Sequence, residues 1–452
     1  MKLLKGYTKE EKSWMMYDWA NSAHSVIVVT ILPIFYNTVT SYMADAASGM
    51  TTWGYATSAA MAIVALLAPV LGVFGDFKGM RKKLFTIFML VGVVSCALLA
   101  VTPMLGFVKP GVAELVGLAI LSLYILSTIG FAGANLYYDS FLSDVTTEDR
   151  MDKVSTMGYG MGYIGGSTIP LLVFLLMNLI LGSDKMLFCL TFVFGLTAVW
   201  WFVFSLPLLK NVEQKSYNEN HKGAVRDAIR GLGGTVREIF HHKAMFIYLI
   251  AYFFYIDGVN TIIHMSTSYG DTLGLDSTSM LLALLLVQVL GLPFCLLYIK
   301  ASEKFGARTM IGVAICIYMG VTVYAFFLRE VWQFWVMAVL VATSQGGIQA
   351  LSRSMFGKMI PDKKRSGEFF GFYDIFGKFS AIMGPALVGW SSAIASNKAL
   401  ADMGLTRSTA SAEIIAQVDT AAAPWGILSL LLIFFVGGGL YFFVLPRYLN
   451  KK

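Results

Sequence analysis

Apolar residues in this chain come in long uninterrupted runs. They follow neither the three-and-four spacing of an amphipathic helix nor the alternation of a half-buried strand. Runs of about 18 or more apolar residues are long enough to cross a bilayer as α-helices. Twelve such runs are predicted, at roughly 15–42, 53–74, 84–104, 113–139, 154–181, 186–208, 244–265, 277–299, 309–328, 331–352, 367–395 and 423–446. The pattern therefore predicts an all-α membrane protein with twelve transmembrane helices. The short alternating segments of an outer-membrane barrel are absent from the sequence.

Polar positions set the orientation. Cytoplasmic loops are enriched in Lys and Arg. With the N-terminus inside and the chain alternating, the cytoplasmic segments hold 28 of the 34 basic residues. The outer loops hold Lys109, Lys185, Arg329, Lys398 and Arg407, and Lys378 falls within a helix. Both termini are thus expected in the cytoplasm, and the chain in the inner (cytoplasmic) membrane as a multi-pass protein. The net charge of +7 follows from these topogenic loops, so nucleic acid is not an expected partner. The apolar stretch at the N-terminus is too long for a signal peptide, contains Asp18 and lacks a small-residue cleavage site.

Composition adds two exclusions. Only 13% of residues are charged, about half the usual share in a soluble protein. Cys96, Cys189, Cys295 and Cys316 all sit in apolar runs, far apart, and read as small buried hydrophobes. No metal-ligand spacing or disulfide framework is present, and no cofactor or metal is expected.

The chain divides into a six-helix bundle over 1–208, a basic linker over 209–243 and a second bundle over 244–452. The linker carries Lys210, Lys215, Lys222, Arg226, Arg230, Arg237 and Lys243. It reads as a solvated topogenic segment. Residues 222–240 alternatively suit an amphipathic helix on an anionic leaflet, with membrane lipids as partners. The polar segment 396–422 reads as a mobile outer loop. An internal repeat supports the division. Gly72-x3-Asp76-x2-Gly79-x-Arg81 follows span 2, and Glu303-x2-Gly306-x-Arg308 follows span 8. Asp18-x2-Asn21 with His24 in span 1 matches Asp257-x2-Asn260 with His264 in span 7. Two pseudosymmetric six-helix bundles of this kind are the layout of the major facilitator fold.

The 72–83 segment carries a gate chemistry. Glycine serves a tight turn where the backbone needs φ > 0 or close approach. Asp76 suits a helix N-terminus and an arginine partner, forming a latch that breaks on opening. Gly72, Asp76, Gly79 and Arg81 are therefore gate candidates, with Glu303, Gly306 and Arg308 as their degenerate copy. The basic loop also serves topology, but that does not explain the glycines and Asp76.

Charges at membrane depth usually face a cavity or a partner. Asp257 and Asp18 are the candidates for proton coupling. Asp257 also suits a structural acceptor tethering two helices, and Asp18, close to the helix end, suits a solvated interfacial acid. His24 and His264 suit either a proton relay or structural hydrogen bonds. Asn21, Asn260, His264, Gln345, Gln349, Asp374 and Lys378 are the substrate-binding candidates. Asp374 and Lys378 stand at i, i+4, the favourable order for a helix pair, and serve structure or a switch. The polar ends Asn135–Ser140 of span 4 and Gln345–Ser354 of span 10 line a cavity or permit close packing. Gly371 to Lys378 lacks phosphate-loop spacing.

Tyr17–Ser22, Asp257–Ile262, Gln345–Ser354, Phe369–Tyr373 and Gly377–Ser380 resemble one branch of the major facilitator superfamily. That branch holds the autophagy-linked vacuolar amino-acid effluxers and their bacterial relatives, the unknown major facilitator family. The resemblance covers nearly the whole chain. It implies the facilitator fold and transport, with amino-acid release as the associated fungal activity. The expected function is secondary active transport of a small polar or zwitterionic solute by alternating access. Proton coupling, efflux and action as a monomer are expected. A lipid or amphiphile transporter is the alternative. No cluster of nucleophile, base or metal ligands points to an enzyme.

Overall fold

The computed structural model describes residues 4–43, 49–219 and 224–449. Among them, twelve helical segments are long and apolar enough to cross a membrane. We label them α1 (Lys9–Thr40), α2 (Thr52–Gly75), α3 (Met80–Met104), α4 (Gly111–Val145), α5 (Met151–Leu181) and α6 (Met186–Asn211). The second set is α7 (Lys243–Thr272), α8 (Thr278–Phe305), α9 (Ala307–Phe326), α10 (Val331–Met359), α11 (Lys363–Asp402) and α12 (Ala412–Leu449). Large apolar side chains stay exposed along the chain, among them Leu66, Leu115, Leu179, Leu297, Leu432 and Phe443. Such faces suit a hydrocarbon solvent, where helices satisfy their own backbone.

Three boundaries differ from the sequence expectation. First, α1 begins at Lys9 and not near 15. Thr8 caps it in a capping box, its N–H donating to Glu11 Oε2 at 2.8 Å and its hydroxyl accepting from Glu11 N–H at 3.1 Å. This polar first turn carries no hydropathy signal. Second, 396–422 is not a long loop. Helix α11 continues to Asp402 and α12 starts at Ala412. Arg407 ties the ends, donating to Ser396 Oγ at 2.9 Å and Asp419 Oδ1 at 2.5 Å. Alanine-rich sequence is strongly helical without being very hydrophobic, so hydropathy stops short of the helix ends. Arg407 and Asp419 are both over 40% exposed, so Arg407→Ala is expected to cost less than about 1 kcal/mol; a larger fall in thermal stability would show that the cluster organises both helix ends. Third, the linker is structured. A helix runs Ala224–His241, and residues 214–219 are docked as described below. Lys222 and the side chain of Arg226 lie outside the described residues. Cys316, in contrast to the other three cysteines, is exposed.

The chain forms two compact units. Unit 1 comprises residues through Gly234 together with Arg353–Ile375, so it includes the end of α10 and the start of α11. Its helices meet at glycines. A Cβ on Gly130 of α4 would collide with the backbone of Gly92 of α3, and one on Gly166 of α5 would lie 2.6 Å from the Trp19 carbonyl of α1. Small residues allow such close approach where no hydrophobic effect drives helices together. Helix α5 contains a π-helical stretch, Gly162–Thr168, a local widening often found at functional sites.

Unit 2 comprises Thr235–Ser352 together with residues from Phe376 onwards. Here α7 packs on α12, where a Cβ on Gly437 would lie 2.7 Å from the Tyr255 nitrogen. Tyr248 donates to the Ser352 carbonyl at 2.8 Å, and the Tyr255 and Ser352 hydroxyls are 2.7 Å apart. The division between units falls inside the linker helix, after the pair Gly233–Gly234.

Candidate functional site

The turn between α2 and α3 requires its glycine: Gly79 has φ +72°, a region that costs a side chain dearly. The turn aims Asp76 at the start of the helix Ser366–Asp402. Asp76 Oδ1 accepts from Gly367 N–H at 2.7 Å, and Oδ2 from Glu368 N–H at 2.8 Å. A carboxylate there satisfies otherwise orphaned donors and meets the positive end of the helix dipole. Gly72 permits the contact, because a Cβ on it would run into the Gly367 carbonyl.

Arg81 locks this arrangement from behind. Its guanidinium donates to Asp76 Oδ1 at 2.9 Å, Asp144 Oδ2 at 2.6 Å and the Ser140 carbonyl at 3.2 Å. Arg81 is 0% exposed and Asp76 2%. Burial pushes the Asp76 carboxyl up to about 7, with Arg81 and the two N–H groups pulling the other way. The linker closes over the turn. Asn218 N–H donates to the Asp76 carbonyl at 2.8 Å, and Lys78 N–H to the Asn218 carbonyl at 3.1 Å. Gln214 Nε2 donates to the Gly75 carbonyl at 3.0 Å, and Ser216 N–H to Asp144 Oδ1 at 3.0 Å. Leu232 of the linker helix packs on Val73 and Phe77.

The second-half copy is not buried in this way. Gly306 also has positive φ, +84°, but Glu303, Gly306 and Arg308 are all exposed. The repeat is therefore symmetric in sequence and asymmetric in structure.

A second buried cluster lies in unit 1, on α1, α4, α5 and the end of α10. Arg353 donates to Asp18 Oδ2 at 3.2 Å, Asp139 Oδ1 at 2.9 Å and Ser155 Oγ at 3.0 Å. Its guanidinium carbon lies 4.7 Å from the Trp14 ring centroid, 5.3 Å from Tyr138 and 4.5 Å from Tyr159. Tyr138 OH donates to Asp18 Oδ2 at 2.6 Å. Gly158 of α5 leaves room for the Asp18 carboxylate, which a Cβ there would strike. Asp18 is thus buried and ion-paired, and the solvated reading of it is corrected. Its helix starts about two turns earlier than hydropathy indicates, so Asp18 lies well inside the helix and not near its end.

Asn21, one turn on, donates to Asn135 Oδ1 at 2.7 Å and joins α1 to α4. His24 is buried between Phe131 and Trp201, with ring centroids at 4.8 and 5.1 Å. Neither of its nitrogens has a hydrogen-bond partner among the described residues.

In unit 2, Asp257 is fully buried. Its Oδ1 accepts from Gly384 N–H of α11 at 3.0 Å. Its Oδ2, and the Thr261 hydroxyl one turn along, have no hydrogen-bond partner among the described residues. A Cβ on Gly384 would lie 3.0 Å from Asp257 Oδ1 and collide with Thr261. His264 is exposed, Asn260 and Gln349 are half-buried, and Gln345 is buried. Asp374, half-buried, borders a narrow apolar crevice in unit 1 with Val64, Ala68, Leu71 and Ala132. Lys378, also half-buried, lies one turn further along α11.

Sequence reasoning missed Asp144, and it took in Asp139 and Arg353 only within the polar helix ends 135–140 and 345–354, without singling them out. A signal was present: Asp139-Ser140 and Arg353-Ser354 close spans 4 and 10 at equivalent places with opposite charges.

Comparisons with known proteins agree with this architecture. The profile of the family described as "Vacuole effluxer Atg22 like" matches residues 50–398. The uncharacterized MFS-type transporter YxiO of Bacillus subtilis (strain 168) is 45% identical over 392 residues, 85% of this chain and 89% of that protein. Autophagy-related protein 22-2 of Aspergillus clavatus is 25% identical over 264 residues, 52% of this chain. The match spans 43% of that fungal protein. Among solved structures, the proton:xylose symporter XylE superposes with a TM-score of 0.63 at 15% identity, covering 95% of this chain and 94% of that one. The human organic anion transporter MFSD10 gives 0.64 at 12% identity, covering 96% and 99%. At these identities the two structures show the major facilitator fold. The profile and the bacterial relative show the rest: the chain is a membrane transporter, not an enzyme, and belongs to the Atg22-like family of the major facilitator superfamily.

Proposed function

We propose that this transporter exports a small polar or zwitterionic solute, with amino acids as the first class to test, by proton-coupled alternating access across the cytoplasmic membrane. The observation that carries the coupling is Asp257: a fully buried carboxylate with one oxygen held by Gly384 N–H and the other without a donor among the described residues. An ionised group so placed is costly, and a proton on Oδ2 removes the cost. Asn260 and His264 share its helix face and extend a polar stripe from it. Efflux as the direction is supported by the description of the Atg22-like family. The bias of Lys and Arg supports cytoplasmic termini, and with them a cytoplasmic position for the turn at Asp76. On this reading Gly72, Asp76, Gly79 and Arg81 form the gate, with the exposed Glu303, Gly306 and Arg308 as its degenerate copy.

The test is proton movement in proteoliposomes loaded with a pH dye, challenged with amino acids, small peptides and organic acids. Asp257→Asn keeps an oxygen for Gly384 N–H and is expected to fold. Substrate-dependent proton flux is expected in the native protein and at least tenfold less in the variant. Substrate movement without proton flux would make Asp257 structural. No response to any solute would redirect the search to amphiphiles.

A further inference from the structure

We infer that the Asp18–Arg353–Asp139 cluster is a second proton-binding site, and that the proton sits on Asp139 Oδ2. Its use in transport rests on the proton-coupled reading above, but its proton count does not.

Unit 1 holds two triads. Each sets one buried guanidinium between two carboxylates, so each holds one more negative charge than positive. At Arg81 the excess is partly offset by backbone, against the burial that raises Asp76. Asp76 takes the N–H groups of Gly367 and Glu368 at a helix N-terminus, and Asp144 takes Ser216 N–H. Backbone donors and a helix dipole stabilise a carboxylate in its ionised form. At Arg353 no backbone N–H reaches either acid among the described residues. Asp18 receives Arg353 and the Tyr138 hydroxyl, and Asp139 receives Arg353 alone, through Oδ1.

Among the described residues, Arg353 is the cation that pairs with Asp18 and with Asp139. Tyr17 of α1 and Tyr138 of α4 face the two acids, and Tyr159 of α5 faces Arg353. Asp374 of α11 is close enough to Asp139 to repel it. The next charges along α5 are Lys153, whose ammonium lies 5.7 Å from the Tyr7 ring centroid, and Asp152, which pairs with Lys358 of α10 at 2.6 Å. An uncompensated charge in low dielectric is relieved most cheaply by neutralisation. Asp18 takes both Arg353 and the Tyr138 hydroxyl, so the acid left for the proton is Asp139, which is also the more accessible. Its side chain is 25% exposed, against 9% for Asp18 and 3% for Arg353. The site thus has a shielded ion pair, Asp18–Arg353, and an accessible acid beside it. A solute or a rearrangement that draws Arg353 away would leave two acids without a base, and a second proton would follow.

The experiment is infrared difference spectroscopy of the purified full-length protein, titrated with pH in water and in heavy water. The protonated carboxyl C=O band reports the proton directly, without transport. In Asp139→Asn the band is expected to lose the intensity of one carboxyl, in both the native and the Asp257→Asn backgrounds. In Arg353→Gln it is expected to gain that of one carboxyl, because the remaining base is removed. Unchanged intensity in both variants would overturn the proposal. If Asp139→Asn does not yield monodisperse protein, the gain in Arg353→Gln decides: no gain overturns it. A band that behaves as expected while proteoliposomes show no proton flux would keep the site and sink the coupling reading. Proton flux with an unresponsive band would do the reverse.

Discussion

Arg81→Gln is expected to destabilise the protein by about 3–5 kcal/mol, the usual cost of removing one partner from a buried ion pair. The variant leaves Asp76 and Asp144 facing each other with no cation between them, in a site where Arg81 is fully buried. Neither acid can move to water, because the linker residues Gln214, Ser216 and Asn218 cover the turn. Thermal unfolding in detergent measures the loss. Asp76→Asn is expected to cost less, about 1 kcal/mol, since its amide oxygen still accepts one helix N–H. Equal and small effects would show that the triad is solvated and carries no structural weight.

Gly72→Ala is expected to weaken the docking of the α11 N-terminus by about 1–3 kcal/mol, the range for overpacking. The neighbour in the way is the Gly367 carbonyl, a backbone atom that cannot rotate aside. Converted to populations, this is about a 5- to 150-fold shift away from the docked state. Disulfide trapping between cysteines introduced at exposed positions beside 72 and 367 measures it, as a fall in trapping yield at unchanged expression. Gly367→Ala is expected to act the same way, because its Cβ would lie 2.6 Å from the Gly72 carbonyl. If trapping is unaffected by either variant, the two helix ends meet through side chains alone and the close approach is incidental.

The twelve helices were legible because hydropathy over about twenty residues averages out local exceptions. Their ends were not, since capping at Thr8 and the alanine-rich turns beyond 396 carry no hydropathy signal. The turn motif was legible because glycine at 79 and acid at 76 are rare in an apolar context and have specific backbone uses. Its copy at 303–308 shows the limit of that reasoning: similar residues recur, but whether they are covered depends on neighbours far away in sequence. Arg353 went unrecognised for the same reason. Its partners Asp18 and Asp139 are 335 and 214 residues away, and a single sequence offers no covariation to join them. Asp257 was legible as a charge at depth, whereas its half-satisfied carboxylate depends on where Gly384 falls.

The double glycine in the linker helix has a mechanical consequence. Gly233 and Gly234 have open space where a Cβ would be, so packing does not call for them. Each lowers helix propensity by about 1 kcal/mol relative to alanine. They stand where the helix passes from unit 1 to unit 2. The segment before them is anchored through Leu232 to Val73 and Phe77, and the segment after them leads into α7 at Lys243. The helix is therefore weakest at the point where the chain passes from unit 1 to unit 2.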